Sequence, residues 1–417
     1  MFKWIFAAVL LVGGAVGAFY MFVHPPVRLM TPPLVYEYEG ETILATLPEQ
    51  ALDGRIDIFY ATNRFPIGLG EAQTYTIAPD RTLRAGSATL RIGDETTTLE
   101  QIRAWTTQAE GDARPYLHLE ALNEKAVLPD SGDPDAAARE WFAAIDAAMQ
   151  VRQTKNILIF VHGANTTLER AAGHASQLQH YSGDAAVVVL FTWPTAENFL
   201  FYLRDIKRAS ASAPHLARLI SLLADNTVAE KIDLFSYSSG GTVASSGLAL
   251  LAEEDPEGAD RLGEVVHIAP DASLRLFVEE LRLYAPLADR VTTFLNLADS
   301  ALRLANIMTG ESRAGRPDVR KLSEEDTQFA LEAALSHELQ VVQITPRSMP
   351  DVARTSHTYW YDNQWVSNDL ILTLALDLSP EARGLDPHVA EAGAPFWTFP
   401  EDYADRIRRG LEALRRD

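Results

Sequence analysis

The sequence contains no cysteine. That absence excludes a disulfide framework, a thiol nucleophile, a thiolate metal site and a lipidated cysteine near the N-terminus. Positive charge is scarce as well: 36 Lys and Arg stand against 57 Asp and Glu, a formal net charge of -21. Proteins that grip nucleic acid by its phosphates need clustered cations, so no nucleic acid is expected as a partner. The chain has neither a His-Glu-x-x-His pattern nor a phosphate-binding loop, and it shows no internal repeat. Zinc proteolysis and nucleotide-dependent chemistry therefore have no motif to rest on, and no cofactor or metal is expected. What is present is 417 residues, 47% hydrophobic and 22% charged. That suffices to bury a large core in one large domain or two moderate ones.

One long apolar run stands out. Trp4 to Val23 is twenty residues without a charge, about the length of a helix that crosses a bilayer. Lys3 is the only charge before it, and the positive-inside tendency then leaves the N-terminus in the cytoplasm. The expected placement is a single-pass anchor in a bacterial inner membrane with the rest of the chain in the periplasm. The alternative is a cleaved signal peptide and a secreted protein, because Gly14-Ala15-Val16-Gly17-Ala18 offers small residues for a peptidase. Phe19 to Val23 make the run longer than a usual signal core, which favours the anchor. Residues 1–24 are read as this anchor or signal segment. Residues 25–51, with Pro25, Pro26, Pro32 and Pro33, read as an extended tether. Residues 52–380 read as the folded domain, and 381–417 as a C-terminal tail with a helix. The sequence gives no oligomeric state.

Strand-like segments at Ile56–Ala61, Ala88–Ile92 and Tyr116–Ala121 predict a β-rich opening. A helix follows to about Gln150, with Asp133 at its N-cap and Pro134 in its first turn. Short apolar runs then alternate with helical segments. The strands are placed at Asn156–Val161, Ala185–Phe191, Lys231–Phe235, Glu264–Ala269, Arg290–Leu295 and Leu339–Thr345. Helices fall at about Leu168–Tyr181, Ala211–Ala224, Thr242–Glu253, Leu274–Leu283 and Gln364–Leu378. Strands that are apolar on both faces, alternating with helices, predict a mostly parallel, doubly wound α/β sheet. Sites in such sheets lie at the carboxyl ends of the strands. Residues 303–338 interrupt the alternation as a charged insertion.

Three polar residues fall at such ends, in the chain order Ser238, Asp299, His357. The strand Lys231–Phe235 runs into Ser236-Tyr237-Ser238-Ser239-Gly240-Gly241 and then a helix. A nucleophilic serine on a sharp strand-to-helix turn needs small residues two before and two after it. Ser236 and Gly240 meet that need, although Ser236 stands where glycine is usual. The plain alternative is a Ser/Gly-rich turn capping a helix. Ser239 is a poorer nucleophile candidate, because bulky Tyr237 lies two residues before it. An alcohol needs a base held by a carboxylate. His357 follows the last predicted strand; His388 falls later, in a Pro- and Gly-rich stretch typical of exposed residues. Asp299 follows the second strand after the serine's, the usual place for the acid. Asp271 is its rival, with capping the next helix as its other role. An oxyanion hole needs two N–H donors, each worth about 3 kcal/mol. Ser239 supplies one, and Ala164 in His162-Gly163-Ala164-Asn165 the other, Gly163 allowing a sharp turn and His162 being structural.

Phe59-Tyr60-Ala61-Thr62-Asn63-Arg64, Phe160-Val161-His162-Gly163, Phe191-Thr192-Trp193-Pro194, the serine turn, Leu297-Ala298-Asp299-Ser300-Ala301-Leu302 and the segment around His357 together resemble a family. It is that of bacterial α/β-hydrolases once grouped as a domain of unknown function and described as esterase/lipase-like. The resemblance spans roughly residues 55–380 with the blocks in the family's order. The family's usual His-Ser-Met-Gly is here Tyr237-Ser238-Ser239-Gly240. The resemblance implies the α/β-hydrolase fold and a serine-dependent ester hydrolase acting through Ser238, with a small-molecule or lipid ester as substrate. Two other outcomes stay open in the sequence: an acyltransferase of the same fold, and a membrane-tethered binding or scaffold protein that has lost catalysis.

Overall fold

A computed structural model of the chain describes residues 24–46 and 53–414, apart from the single positions 112, 153, 184, 337 and 377. The described chain opens with helix α1 (Leu34–Thr46), strands β1 (Arg55–Ile67) and β2 (Thr74–Ile92), helix α2 (Leu99–Thr107), strand β3 (Leu117–Leu128) and helix α3 (Ala136–Gln150). Strict alternation follows: β4 (Asn156–Val161), α4 (Leu168–Ser182), β5 (Val187–Thr192), α5 (Tyr202–Asn226), β6 (Lys231–Tyr237), α6 (Gly240–Glu254), β7 (Leu262–Ile268), α7 (Leu274–Tyr284) and β8 (Arg290–Leu295). Beyond it come α8 (Ser300–Thr309), α9 (Glu324–Leu335), β9 (Leu339–Gln343), α10 (Gln364–Leu376), β10 (Asp386–Val389), β11 (Pro395–Thr398) and α11 (Tyr403–Leu414).

All these strands join one eleven-stranded sheet in the order β10-β11-β9-β8-β7-β6-β4-β5-β1-β2-β3. Neighbours from β11 across to β1 run parallel, and the pairings at both edges are antiparallel. Alternate residues of β4 face opposite cores: Leu158 and Phe160 pack with α1, α4, α10 and α11, whereas Ile157, Ile159 and Val161 pack with α3, α5, α6 and α7. Burial on both faces is why the central strands read as unbroken apolar runs. It also leaves the strand ends as the places where polar side chains can converge.

Several boundaries differ from the sequence reading: β2 begins at Thr74 rather than Ala88, and α5 at Tyr202 rather than Ala211. The cap of α3 is Asp135, whose carboxylate accepts the Ala138 N–H at 2.8 Å; the cap falls there rather than on Asp133. The stretch 25–51 is not an extended tether over its described part. Val27, Leu29, Met30, Leu34 and Tyr36 are buried, and the Leu29 N–H and Val27 carbonyl bond the backbone of Pro115 and Leu117 at 2.9 and 2.8 Å. Pro32 and Pro33, which suggested a linker, lead directly into α1, where a missing N–H costs nothing. Nor is 381–417 a separate tail over its described part. Arg383 and Asp369, both fully buried, pair at 2.9 Å, which ties the segment to α10 and lets Trp397 lie beside Val342 in the sheet. The expected span at 4–23 lies outside the described residues, among which no helix is long and apolar enough to cross a membrane.

Asp233, buried in β6, accepts the Glu264 N–H at 2.8 Å. Burial pushes its carboxyl up to about 7. Since the folded value lies above the ordinary one near 3.9, the stability this group contributes is full below about pH 4 and is lost as pH rises through about 7. Asp233→Asn is therefore expected to flatten the decline in melting temperature between about pH 5 and about pH 8; an unchanged slope in thermal melts would place the titration elsewhere.

Candidate active site

Ser238 lies in the turn between β6 and α6 with φ at 55°, a region that L-residues seldom occupy. Its N–H donates to the Ile268 carbonyl at 3.1 Å, and its own carbonyl accepts the N–H groups of Gly241 and Asp271, both at 2.8 Å. The surroundings tolerate no bulk. A Cβ on Gly240 would stand 2.4 Å from the Val161 carbonyl oxygen, and one on Gly163 would stand 2.9 Å from the Ser238 Cβ. Gly163 is thus required for close approach, whereas the positive φ of its loop falls on Asn165, at 52°. Ser236 fits beneath the turn because β7 sets His267 directly opposite it. The Ser236 hydroxyl lies 2.7 Å from His267 Nδ1, and His267 Nε2 lies 3.2 Å from the Tyr284 hydroxyl. Burial pushes His267 down to about 3, so a neutral imidazole accepts at one nitrogen and donates at the other.

Asp299 follows β8 and is fully buried. Its Oδ1 accepts the Leu302 N–H at 2.9 Å, capping α8, while its Oδ2 lies 2.6 Å from His357 Nδ1. His357 Nε2 in turn lies 2.9 Å from the Ser238 hydroxyl. With Nδ1–H donated to the carboxylate, the Nε2 lone pair faces Ser238 and can take its proton. The loop carrying His357 is tied to the one carrying Asp299: Asn296 Nδ2 donates to the Ser356 carbonyl at 2.9 Å, and the Ser300 N–H to that of Thr355 at 3.2 Å. The Tyr237 ring centre stands 5.3 Å from that of His357.

Ser239 directly follows Ser238, and Ala164 follows Gly163, on which a Cβ would stand 2.9 Å from that of Ser238. Among the described residues neither N–H is donated to another backbone carbonyl. The Ala164 loop is held from below: buried Asp205 on α5 accepts the N–H groups of Asn165 and Ala196 at 3.4 and 2.6 Å. His162 is buried and stacked on Trp193 at 5.5 Å, and Nδ1 is 2.8 Å from the Gly163 carbonyl oxygen. Burial and then Arg64 push it down to about 3, so it stays neutral and serves as a brace.

Asp271 does not cap α7, which begins without a side-chain cap. Its Oδ2 accepts the hydroxyls of Ser239 at 2.8 Å and Tyr202 at 2.9 Å, and its Oδ1 accepts Arg313 Nε at 2.6 Å. Arg313 comes from the insertion at 303–338, and its Nη2 also donates to the Asp271 carbonyl at 2.7 Å. Gly315 beside it bonds Pro270 and Asn296 through its backbone at 2.8 and 3.2 Å. This network escaped the sequence reading because Arg313 sits in a stretch without periodicity or motif; only the pairing of distant strand ends reveals it. His388 lies on edge strand β10, exposed and 2.9 Å from the Thr398 hydroxyl. Among the described residues no group of three or more His, Asp or Glu is placed to hold a metal ion.

A parallel sheet sandwiched by helices, with a serine on a positive-φ turn hydrogen-bonded to a histidine and an acid from later strand ends, is the arrangement of the α/β hydrolases. Residues 135–373 match the family model of alpha/beta hydrolases of unknown function (DUF900), and the chain belongs to that family. No curated protein matches it significantly. Among solved structures it is similar to dipeptidyl peptidase 4 of Porphyromonas gingivalis at 14% identity and a TM-score of 0.28, over 65% of this chain and 37% of that one. It is also similar to an esterase of the fungus Rhizomucor miehei, at 11% identity and a TM-score of 0.30, over 82% and 90% of the two chains. A lipase-esterase related protein of Clostridium acetobutylicum overlaps at 14% identity and a TM-score of 0.22, over 46% and 74%. Overlaps this loose carry no inference about activity.

Arg313 and Asp271 are 2% and 3% exposed, so Arg313→Met leaves a buried carboxylate without its cation. Such a loss typically costs about 3–5 kcal/mol. Asp271→Asn in the same chain should recover part of it. Chemical denaturation of the two single variants and the double variant measures both; additive effects would show that the pair is not coupled.

Proposed function

We propose that this protein is a serine-dependent ester hydrolase of the carboxylesterase kind, working through an acyl-enzyme on Ser238. The observation that supports it most is the unbroken line from Asp299 through His357 to Ser238, at 2.6 and 2.9 Å. Ser238 Oγ attacks the ester carbonyl carbon as its proton passes to His357 Nε2. The oxyanion takes the N–H groups of Ala164 and Ser239. His357 then gives the proton to the departing alcohol, and Asp299 holds the imidazole in the right tautomer and steadies its charge. A water deprotonated by His357 releases the acid and restores Ser238. The substrate class is a small-molecule or lipid ester. Trp4–Val23 anchors the enzyme in a bacterial inner membrane with the hydrolase domain in the periplasm, on the strength of its uncharged length and of Lys3 before it.

A fluorophosphonate probe is expected to form one adduct per chain, and Ser238→Ala to abolish it. Asp299→Asn should keep the fold and lower kcat on an activated ester by on the order of 10³- to 10⁴-fold. A correctly folded wild-type chain that stays unlabelled sinks this reading.

A further inference from the structure

Three observations meet around Glu197. The first is the position of His24. His24 directly follows the uncharged run Trp4–Val23, and its Nε2 lies 2.8 Å from the Glu197 carbonyl oxygen. The second is apolar surface. Just beyond Glu197 stand Leu200, 62% exposed, with Phe201 and Leu203 exposed beside it. The Glu197 carboxylate pairs with Arg64 at 2.8 Å, and from Arg64 the β1–β2 hairpin runs out to Phe65, Ile67 and Leu69, the last 89% exposed. Large apolar side chains exposed at the same end of the sheet mark an interaction surface.

The third is charge. The first turns of α5 and the hairpin line a half-open pocket of about 440 Å³ whose walls include Arg81, Arg204, Lys207 and Arg208. Asp80 is the only acid in its lining, and it is engaged by Arg84 at 3.4 Å. In a chain of net charge -21 this is a local reversal of sign. Buried polar atoms around the cavity also lack a partner among the described residues: Arg208 Nη1, His215 Nδ1 and Asn63 Oδ1. Asn63 is 2% exposed, and its amide is held at the other end by Ser212 at 3.0 Å. A headgroup phosphate in the pocket would pair with the exposed cations Arg204 and Lys207.

We propose that this face docks on an anionic bilayer, with Leu200, Phe201, Leu69 and their neighbours in the interface and an anionic phospholipid headgroup in the cationic cavity. Amphipathic surfaces of this composition bind through apolar insertion together with attraction to anionic lipid. The proposal rests on the reading of Trp4–Val23 as a membrane span, which would hold His24 and Glu197 at the membrane surface. The loop and the hairpin leave from the carboxyl ends of β5 and β1, which are parallel to β6. Docking therefore turns Ser238's end of the sheet toward the lipid. If Ser238 is the nucleophile, the substrate is an ester carried in or at the bilayer.

The test uses the full chain in nanodiscs of phosphatidylcholine alone or mixed with phosphatidylglycerol. With no native cysteine, Leu200→Cys, Leu69→Cys or Val151→Cys each places one environment-sensitive fluorophore. Val151, 82% exposed, precedes β4 and reports the opposite end of the sheet. In anionic discs the labels at 200 and 69 should be quenched by a lipid-borne quencher several-fold more than the label at 151. Arg204→Glu with Lys207→Glu and Arg208→Glu should remove most of that difference while the chain stays in the disc; Lys207→Gln with Arg208→Gln serves if the triple variant fails to fold. Labels at 200 and 69 quenched no more than that at 151, or equally in neutral and anionic discs, or unaffected by the charge changes, overturn the proposal. Fluorophosphonate labelling of the same samples reports the nucleophile separately: a docked chain with an unreactive Ser238 overturns the hydrolase reading and leaves the docking surface standing.

Discussion

The carbonyl of Ser238 accepts two backbone N–H groups, from Gly241 and Asp271, each at 2.8 Å, and those bonds hold the serine at positive φ. Much else in the neighbourhood answers to that turn. Gly163 must lack a side chain because the Ser238 Cβ stands against it, and Gly240 must lack one because the end of β4 passes beneath. A hydroxyl at residue 236 survives under the turn only because the parallel register with β7 brings a histidine to meet it. The strain of one residue, of order 1–3 kcal/mol for an L-residue held in this region, is carried by a densely bonded surround.

Buried arginines supply a second level of order. Arg313 joins the insertion to the turn after β7, Arg383 joins the last two strands to α10, and Arg64 joins the first strand to the loop after β5. Buried ion pairs are poor sources of net stability compared with apolar packing, but a one-sided loss is costly, so they fix how segments meet. In each case the arginine fastens a stretch that the alternating strands and helices do not themselves position. Asp271 shows the functional side of this: the same carboxylate that binds Arg313 also holds the hydroxyl of Ser239, whose N–H flanks Ser238.

The central strands were legible because burial on both faces writes an apolar run into each one, and their ends followed closely. Ser238, Asp299 and His357 were legible from chain order and from the small residues on either side of Ser238; the structure brings the three within hydrogen-bonding distance. The docking of 27–46 was not legible. Its prolines signal a linker, and nothing local tells that Val27, Leu29 and Tyr36 find a groove against α4 and β3. The same holds for 381–414, which is held by the buried pair of residues 369 and 383 and by Trp397, Phe399 and Tyr403 in the core. Arg313 had no local signature, because its meaning lies in Asp271, forty-two positions away. Periodicity reports burial, and it is silent about polar pairs that join distant segments.

The central claim, that Ser238 carries the acyl group, is tested most directly by intact-mass spectrometry of the protein quenched seconds after mixing with an activated ester. A transient gain equal to one acyl group, mapped by proteolysis to the peptide containing Ser238 and absent from Ser238→Ala, is the predicted result. Ester turnover with no covalent intermediate under any quench time, or with the acyl group on another residue, would contradict it.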